Sequence, residues 1–241
     1  MGKKISSAMN QKIEYYILHS PENLKKWNKS LNKTNPMSIL EKHNNPLIKF
    51  EENQRRAIIL SMVGKVNGQV IADVGCEEGY NAKKLIQDCS KIYCIDIDED
   101  LLNIAKNKIN DHKAEFIQSD AQDIKLANNS VDLAISSHVL EHLPSPQKGF
   151  DELVRITKPG GKIVINVPNE VVVLKLKNIL KSLKMDFLLG KLNTGLAPGH
   201  LHIFNKNMLL NIIGNKASIK KIRYNFPFYT NLFVVLEPVG K

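Results

Sequence analysis

The sequence has few of the features that mark exported, membrane-spanning or disulfide-built proteins. It holds only 3 cysteines among 241 residues. Cys76, Cys89 and Cys94 are odd in number, fit no zinc-ligand spacing, and read as free thiols of a reducing compartment. Apolar runs last a handful of residues, well short of the roughly 20 that a spanning helix needs. The start Met1-Gly2-Lys3-Lys4-Ile5 leads into no signal-peptide core. These absences predict a soluble, unsecreted, cytoplasmic protein. Gly2 to Ser6 formally fits an N-myristoylation pattern, a match too short to act on. There is no repeat at a period of about 20–50 residues and no low-complexity linker between independent domains. With 43% apolar side chains, the chain has enough material for one mid-sized domain with a full core, which excludes disorder throughout.

What is abundant is positive charge, a formal +10, and it is unevenly placed. Residues 1–65 carry 12 basic and 5 acidic side chains, residues 66–170 carry 11 and 17, and residues 171–241 carry 11 and 2. An acidic centre thus lies between two basic flanks. Such flanks suit nucleic acid, an anionic membrane surface or an acidic substrate.

The first 49 residues are polar and interrupted by Pro21, Pro36 and Pro46, which predicts short helices joined by turns, an N-terminal helical or lid segment. An amphipathic helix is expected from Phe50 to about Met62, ending at Gly64. Strand and helix then alternate: strands at Val70–Val74, Ile92–Ile95, Ala114–Gln118, Val131–Ser136 and Ile163–Val167, helices at about Tyr80–Asp88, Asp98–Ile109 and Gln147–Ile156, with a turn at Pro159-Gly160-Gly161. Short apolar strands separated by amphipathic helices predict an α/β, Rossmann-like, doubly wound parallel sheet. Beyond Pro168, Glu170–Leu189 reads as a basic amphipathic helix within a helical cap spanning 170–215. A short helix follows, from an Asn205 cap to Gly214. The chain closes on strands at Ile219–Tyr224 and Phe228–Leu236, a hairpin-like pair giving the sheet an antiparallel edge. The main domain is therefore placed at 50–241.

In such a sheet, ligands bind beyond the carboxyl ends of the strands. Asp73-Val74-Gly75-Cys76-Glu77-Glu78-Gly79 lies between the first strand and a helix, where glycines permit a tight turn and free amides favour an anion. Asp96 ends the second strand, where a carboxylate can accept both hydroxyls of a ribose. Asp120-Ala121 follows the third strand, and Ser137-His138-Val139-Leu140-Glu141-His142-Leu143 the fourth. The dinucleotide fingerprint fails, because its third glycine would fall at Tyr80; no Gly-Lys-Ser/Thr follows Gly79, so the P-loop fails as well.

With Lys158-Pro159-Gly160-Gly161-Lys162 and Val167-Pro168-Asn169 added, the order and spacing of these motifs resemble the class I S-adenosylmethionine-dependent methyltransferases, most closely the small-molecule (type 11) group that includes quinone and lipid methyltransferases. The resemblance covers roughly residues 50–236. It implies S-adenosylmethionine as cofactor, with Asp73, Gly75, Cys76 and Gly79 around its methionine portion, Asp96 on the ribose, Ile97 against adenine, Asp120 and Ala121 at the adenine edge, and Ser137 near the sulfonium. Glu77 departs from the pattern, standing where many members have the middle glycine. The implied reaction is methyl transfer to a small-molecule or lipid-like acceptor, with oxygen the favoured atom.

Histidine has the unperturbed pKa suited to taking an acceptor's proton. His138 is one candidate; His200 and His202 are others, in a segment resembling the His-x-His-x-Phe stretch late in this methyltransferase group. His142 reads as a structural hydrogen-bonding residue. No third ligand lies near the His-x-His pair in sequence, so no metal is expected. The 170–189 helix reads first as a cap over the acceptor and second as a surface for anionic lipid. An RNA acceptor ranks lower: Trp27 is the sole tryptophan, and there is no Asn/Asp-Pro-Pro-Tyr/Phe motif. A non-catalytic nucleotide-binding domain is the other alternative.

Overall fold

In a computed structural model of the chain, residues 46–184 and 199–239 are described, together with Asn23 and Lys26. Most of the expected N-terminal segment and the middle of the expected cap, including Phe187, therefore lie outside the described residues. So do Gly2 and Trp27.

Helix α1 runs Pro46–Val63 and stops at Gly64, whose φ of 71° ends it in the left-handed region. The alternating series follows: β1 Val70–Val74, α2 Tyr80–Leu85, β2 Lys91–Asp96, α3 Glu99–Ile109, β3 Ala114–Gln118 and β4 Val131–Ser137. After a short 3-10 turn at Leu140–His142 come α4 Pro146–Ile156, β5 Thr157–Pro168, α5 Glu170–Ser182, α6 Lys206–Ile213, β6 Ala217–Tyr224 and β7 Asn231–Pro238. Local chemistry sets several starts. Asp98 caps α3 by accepting from Asp100 N at 3.0 Å, Ser145 caps α4 ahead of Pro146, and Asn205 caps α6 by accepting from Met208 N at 2.9 Å.

The seven strands form one sheet in the order β3-β2-β1-β4-β5-β7-β6. Pairings from β3 through β5 are parallel, whereas β7 runs antiparallel to both β5 and β6. The hairpin-like pair therefore closes the sheet as the sequence predicts, with the later strand tucked inside and β6 on the rim. Burial follows the double winding. Ala72, Val74, Ala134 and Ile165 join one core with Phe150, Leu153 and Phe204, while Ile71, Ile92, Leu133 and Ile135 join another with Ile59, Val63 and Leu85.

One expectation differs in form. Pro159-Gly160-Gly161 is an irregularity inside β5, whose register against β4 jumps from Val131↔Thr157 to Leu133↔Lys162. The residues between are accommodated as a bulge, which the open φ of 74° at Gly160 permits. The amphipathic α5 ends at Ser182, short of the expected Leu189, with Leu183 as its C-cap and Lys184 left-handed at φ 54°, and its outer end leaves Ile179 and Leu183 at 55% and 60% exposure.

Candidate functional site

The chain runs β1, β2, β3 outward and returns to lay β4 against β1, so strand order reverses between β1 and β4. The carboxyl ends of these strands open a crevice at that point. Gly75 and Cys76 both donate backbone N–H to Ile95 O, at 2.7 and 3.0 Å, which folds the turn after β1 over the end of β2. Gly75 has φ 72°, and a Cβ on it would meet Val139 Cγ2 at 2.2 Å. Only glycine fits between the turn and the segment after β4.

Asp96 sits beneath that turn, its two carboxylate oxygens accepting from Glu77 N and Asp98 N, both at 2.9 Å. Each oxygen keeps a further lone pair. Burial pushes its carboxyl up to about 6, against the hydrogen bonds that favour the anion. Asp73, at 1% exposure, accepts from Asn81 Nδ2 through Oδ1 at 3.2 Å, whereas its Oδ2 has no partner among the described residues. Burial raises this carboxyl to about 7, with Asp96 adding to the rise. Burial likewise takes Glu77 up to about 7, although Arg55 pulls the other way. Glu77 holds φ 49°, a left-handed conformation that suits glycine, so its departure from the pattern is written in the backbone as well as in the charge.

The counter-charge comes from α1, a source the sequence motifs did not signal. Arg55 reaches across the crevice, donating from Nη1 to Ser137 Oγ at 2.7 Å, and pairs with Glu52. Arg56 stacks over the Tyr80 ring, 4.1 Å from its centroid, and also bonds Glu52. Arg55, Arg56, Gly75, Cys76, Glu77, Asn81 and Ser137 line one cleft. Nothing local in the α1 sequence distinguishes Arg55 from a surface arginine; only the packing of α1 over β5 and β7 aims it inward.

Asp120 and Ala121 stand farther along the same rim. Asp120 Oδ1 accepts from Gln122 N at 2.8 Å, while the neighbouring Ser119 N is anchored to Asp96 O at 3.0 Å. Ile97 is tied to β3 through its carbonyl, which accepts from Gln118 Nε2 at 3.0 Å. The turn after β1, Asp96, Ile97 and the Ser119–Asp120 corner are thus linked by direct bonds along one edge of the sheet.

The histidines divide. His138 donates from Nε2 to Asn231 Oδ1 at 2.8 Å and places Nδ1 2.9 Å from Glu141 Oε1. His200 is held through Nδ1 by the buried Glu170 carboxylate, and its ring meets that of His142 edge-on at 4.9 Å. His142 bonds Gly199 O through Nδ1 at 2.9 Å, the structural role its sequence context suggests. His202 turns away: its Nε2 bonds Leu143 O at 2.9 Å, pinning the loop to the end of the 3-10 turn. Glu141, completely buried, is the hub that sequence reading treated only as a neighbour of His142. Burial drives its carboxyl up, but His138, His142 and His200 outweigh this and hold it at about 2.

Three comparisons bear on this arrangement. Residues 72–165 match the family described as a methyltransferase domain. A demethylmenaquinone methyltransferase of Clavibacter sepedonicus is 33% identical over 104 residues, covering 43% of this chain and 42% of that protein. Its counterpart from Renibacterium salmoninarum is 30% identical over 122 residues, 50% and 51% of the two chains. The chain spans about half or less of the length of these curated relatives. Among solved structures, a SAM-dependent methyltransferase from Aquifex aeolicus aligns with TM-score 0.60 at 19% identity, over 84% of this chain and 98% of that one. The N-methyltransferase NodS of Bradyrhizobium japonicum, in complex with S-adenosyl-L-homocysteine, aligns with TM-score 0.59 at 16% identity, over 82% and 90%. At these identities the structures speak for the fold, and the family match speaks for the motifs that the crevice brings together. Residues 72–165 are therefore similar to a methyltransferase domain, and the chain shares its fold with SAM-dependent methyltransferases of known structure.

Proposed function

We propose that the protein transfers the methyl group of S-adenosylmethionine to a small, apolar-bodied acceptor of the quinone or lipid kind, through the crevice at the β1/β4 reversal. The observation that carries the cofactor half is the Asp96 carboxylate, fixed by two backbone amides beside a turn whose Gly75 leaves no room for a Cβ against Val139. Its remaining lone pairs suit a pair of vicinal hydroxyls. Arg55 suits the amino-acid carboxylate, and Asp73 and Glu77 suit the ammonium, so the unpartnered Asp73 oxygen and the misplaced glycine acquire one explanation. Gly75, Cys76, Gly79 and Ser137 supply the walls of that end, and Ile97, Asp120 and Ala121 the adenine side.

When bound, the cofactor supplies an already activated methyl group, so the protein's share is alignment and exclusion of water. Ser137 and Arg55 close the crevice on the acceptor side. His138 and His200, gathered around Glu141 beside Ser137, are the groups we assign to the acceptor's proton; His202, bonded to Leu143 O, serves as a loop pin. That the relatives from Clavibacter sepedonicus and Renibacterium salmoninarum are demethylmenaquinone methyltransferases supports an aromatic quinol-like acceptor. The lysines of α5, with Ile179 and Leu183 exposed beside them, support delivery of such an acceptor from an anionic membrane surface.

Calorimetry with S-adenosyl-L-homocysteine tests the cofactor site. Asp96→Ala is expected to weaken binding by about 10- to 100-fold, the scale of one or two charge-assisted hydrogen bonds. Unchanged affinity would refute the ribose assignment. Incubation with methyl-labelled cofactor and separated quinone, polar-lipid and RNA fractions then reads the acceptor class, and label confined to RNA would overturn it.

A further inference from the structure

The three residues His138, Glu141 and His200 each offer a ligating atom, and these atoms lie within 4.8 Å of one another. Spacing along the chain does not join them: His138 and Glu141 follow β4, whereas His200 arrives nearly sixty residues later. The expectation of no metal concerned the His200/His202 pair; folding turns His202 away to Leu143 O and brings His200 to His138 and Glu141 instead.

The surrounding bonds bias the tautomers. Asn231 gives its amide N–H groups to Glu51 Oε1 and Thr230 Oγ1, both at 3.3 Å, which leaves Oδ1 to accept from His138 Nε2 at 2.8 Å. His138 in its neutral form then presents the Nδ1 lone pair toward Glu141. Glu170 accepts from His200 Nδ1 with one carboxylate oxygen and from Phe204 N with the other, at 3.2 Å, so neutral His200 keeps its lone pair on Nε2. Glu141 itself is fully buried, and neither of its oxygens has a donor in hydrogen-bonding geometry among the described residues. Two nitrogen lone pairs and an unsatisfied carboxylate are therefore brought within 4.8 Å of one another. The positive charge that a buried anion needs can come from protonation of these histidines or from a metal ion held on their lone pairs. Outer carboxylate and amide partners on ligating histidines are the usual means of orienting them on a metal.

We propose that His138, Glu141 and His200 form a binding site for a divalent first-row transition ion, oriented by Asn231 and Glu170. Two imidazoles and one carboxylate suit zinc, iron(II) or cobalt(II) rather than magnesium or calcium, which prefer oxygen. Three protein ligands leave coordination positions open, where an oxygen of a bound molecule could complete the shell. An ion on both lone pairs would replace the proton-accepting role assigned to His138 and His200, whereas the cofactor site requires nothing of the ion and can be tested without it.

The test uses the tag-free full chain after chelator treatment and dialysis, titrated at neutral pH with Zn²⁺, then with Co²⁺ under visible spectroscopy. One equivalent of zinc should bind, competed by cobalt with the absorption of a low-symmetry, four- or five-coordinate nitrogen–oxygen site. His138→Asn and His200→Ala should each abolish this equivalent. Asparagine is chosen because it tolerates the φ of 57° at position 138. Glu170→Gln, which leaves all three ligands in place, should weaken binding about 10- to 100-fold. Far-UV circular dichroism of each variant establishes that the fold persists. The proposal is overturned if the wild type takes up no zinc tighter than magnesium, or if the His138→Asn/His200→Ala double variant binds the same equivalent, which would place the ion on other residues such as exposed His112. Titration with S-adenosyl-L-homocysteine, with and without zinc, keeps the two readings apart: loss of one leaves the other standing.

Discussion

Replacing Asp73 with asparagine should make the ligand-free protein more stable and the liganded protein less so. The Asp73 carboxyl is displaced from an ordinary 3.8 to about 7, first by burial and then by the neighbouring Asp96 charge, despite the hydrogen bond from Asn81. A folded-state pKa above the unfolded one means that between pH 4 and 7 the folded chain holds a proton that the unfolded chain has lost. Stability from this group is thus fully present below about pH 4 and is lost as pH rises through 7. The displacement corresponds to roughly 4 kcal/mol at its limit, or on the order of 10 °C in Tm for a chain of this size. Asparagine has the same shape, keeps an acceptor for Asn81, and cannot ionise. Asp73→Asn should therefore match the wild type at pH 4.5 to within about 1 kcal/mol and exceed it increasingly up to pH 8. Urea unfolding at half-unit pH intervals measures the difference, and S-adenosyl-L-homocysteine calorimetry at pH 8 should show the variant binding more weakly by about tenfold or more. A stability difference that does not change with pH would refute the argument, because it would mean that the carboxyl does not titrate differently on folding.

The other expectations concern the same crevice. Glu77→Gly should stabilise the ligand-free chain by about 1–2 kcal/mol from the left-handed φ of 49° alone, seen as a raised urea midpoint at unchanged m-value. Gly75→Ala should cost about 2–4 kcal/mol, combining its φ with the 2.2 Å approach to Val139, and Val139→Ala in the same chain should recover part of the loss. Arg55→Ala should leave the far-UV spectrum intact and weaken S-adenosyl-L-homocysteine by about 10- to 100-fold, with Arg55→Lys intermediate.

The sheet was legible because each inner strand is a short apolar run closed by a polar or glycine residue, and nothing else in the chain has that form. Asp73, Gly75 and Asp96 were legible for the same reason, since the end of a strand is a position sequence can mark. Arg55 was not: its side chain matters only because α1 packs back over the sheet, a long-range contact with no local periodicity to announce it. His200 and His202 looked equivalent on a motif basis, yet residues two apart on an extended loop are free to find different partners, one Glu170 and the other Leu143 O. Glu141 was underrated because a glutamate in a Leu-Glu-His-Leu turn is ordinarily solvent-facing, whereas here it is fully buried and its backbone carbonyl accepts from Leu201 N of the distant 199–204 segment.

The uneven charge of the chain acquires a local meaning at this point. The acidic centre concentrates Asp73, Glu77 and Asp96 so closely that burial and mutual repulsion hold their carboxyls at about 6 to 7. A basic flank then sends Arg55 back over them, which offsets part of the repulsion and supplies the one charge that an amino-acid carboxylate requires. A folded protein gains nothing in its free state from three carboxylates arranged this way. A ligand bearing ammonium and sulfonium groups would relieve the repulsion among these carboxylates on binding, and part of its affinity would come from that relief. On that logic cofactor binding should release protons near pH 6.5 to 7 and tighten as pH rises through that range. Calorimetry in two buffers of different ionisation enthalpy measures the released protons directly, and a protonation count of zero at pH 6.5 would break the link between the charge pattern of the sequence and the site it builds.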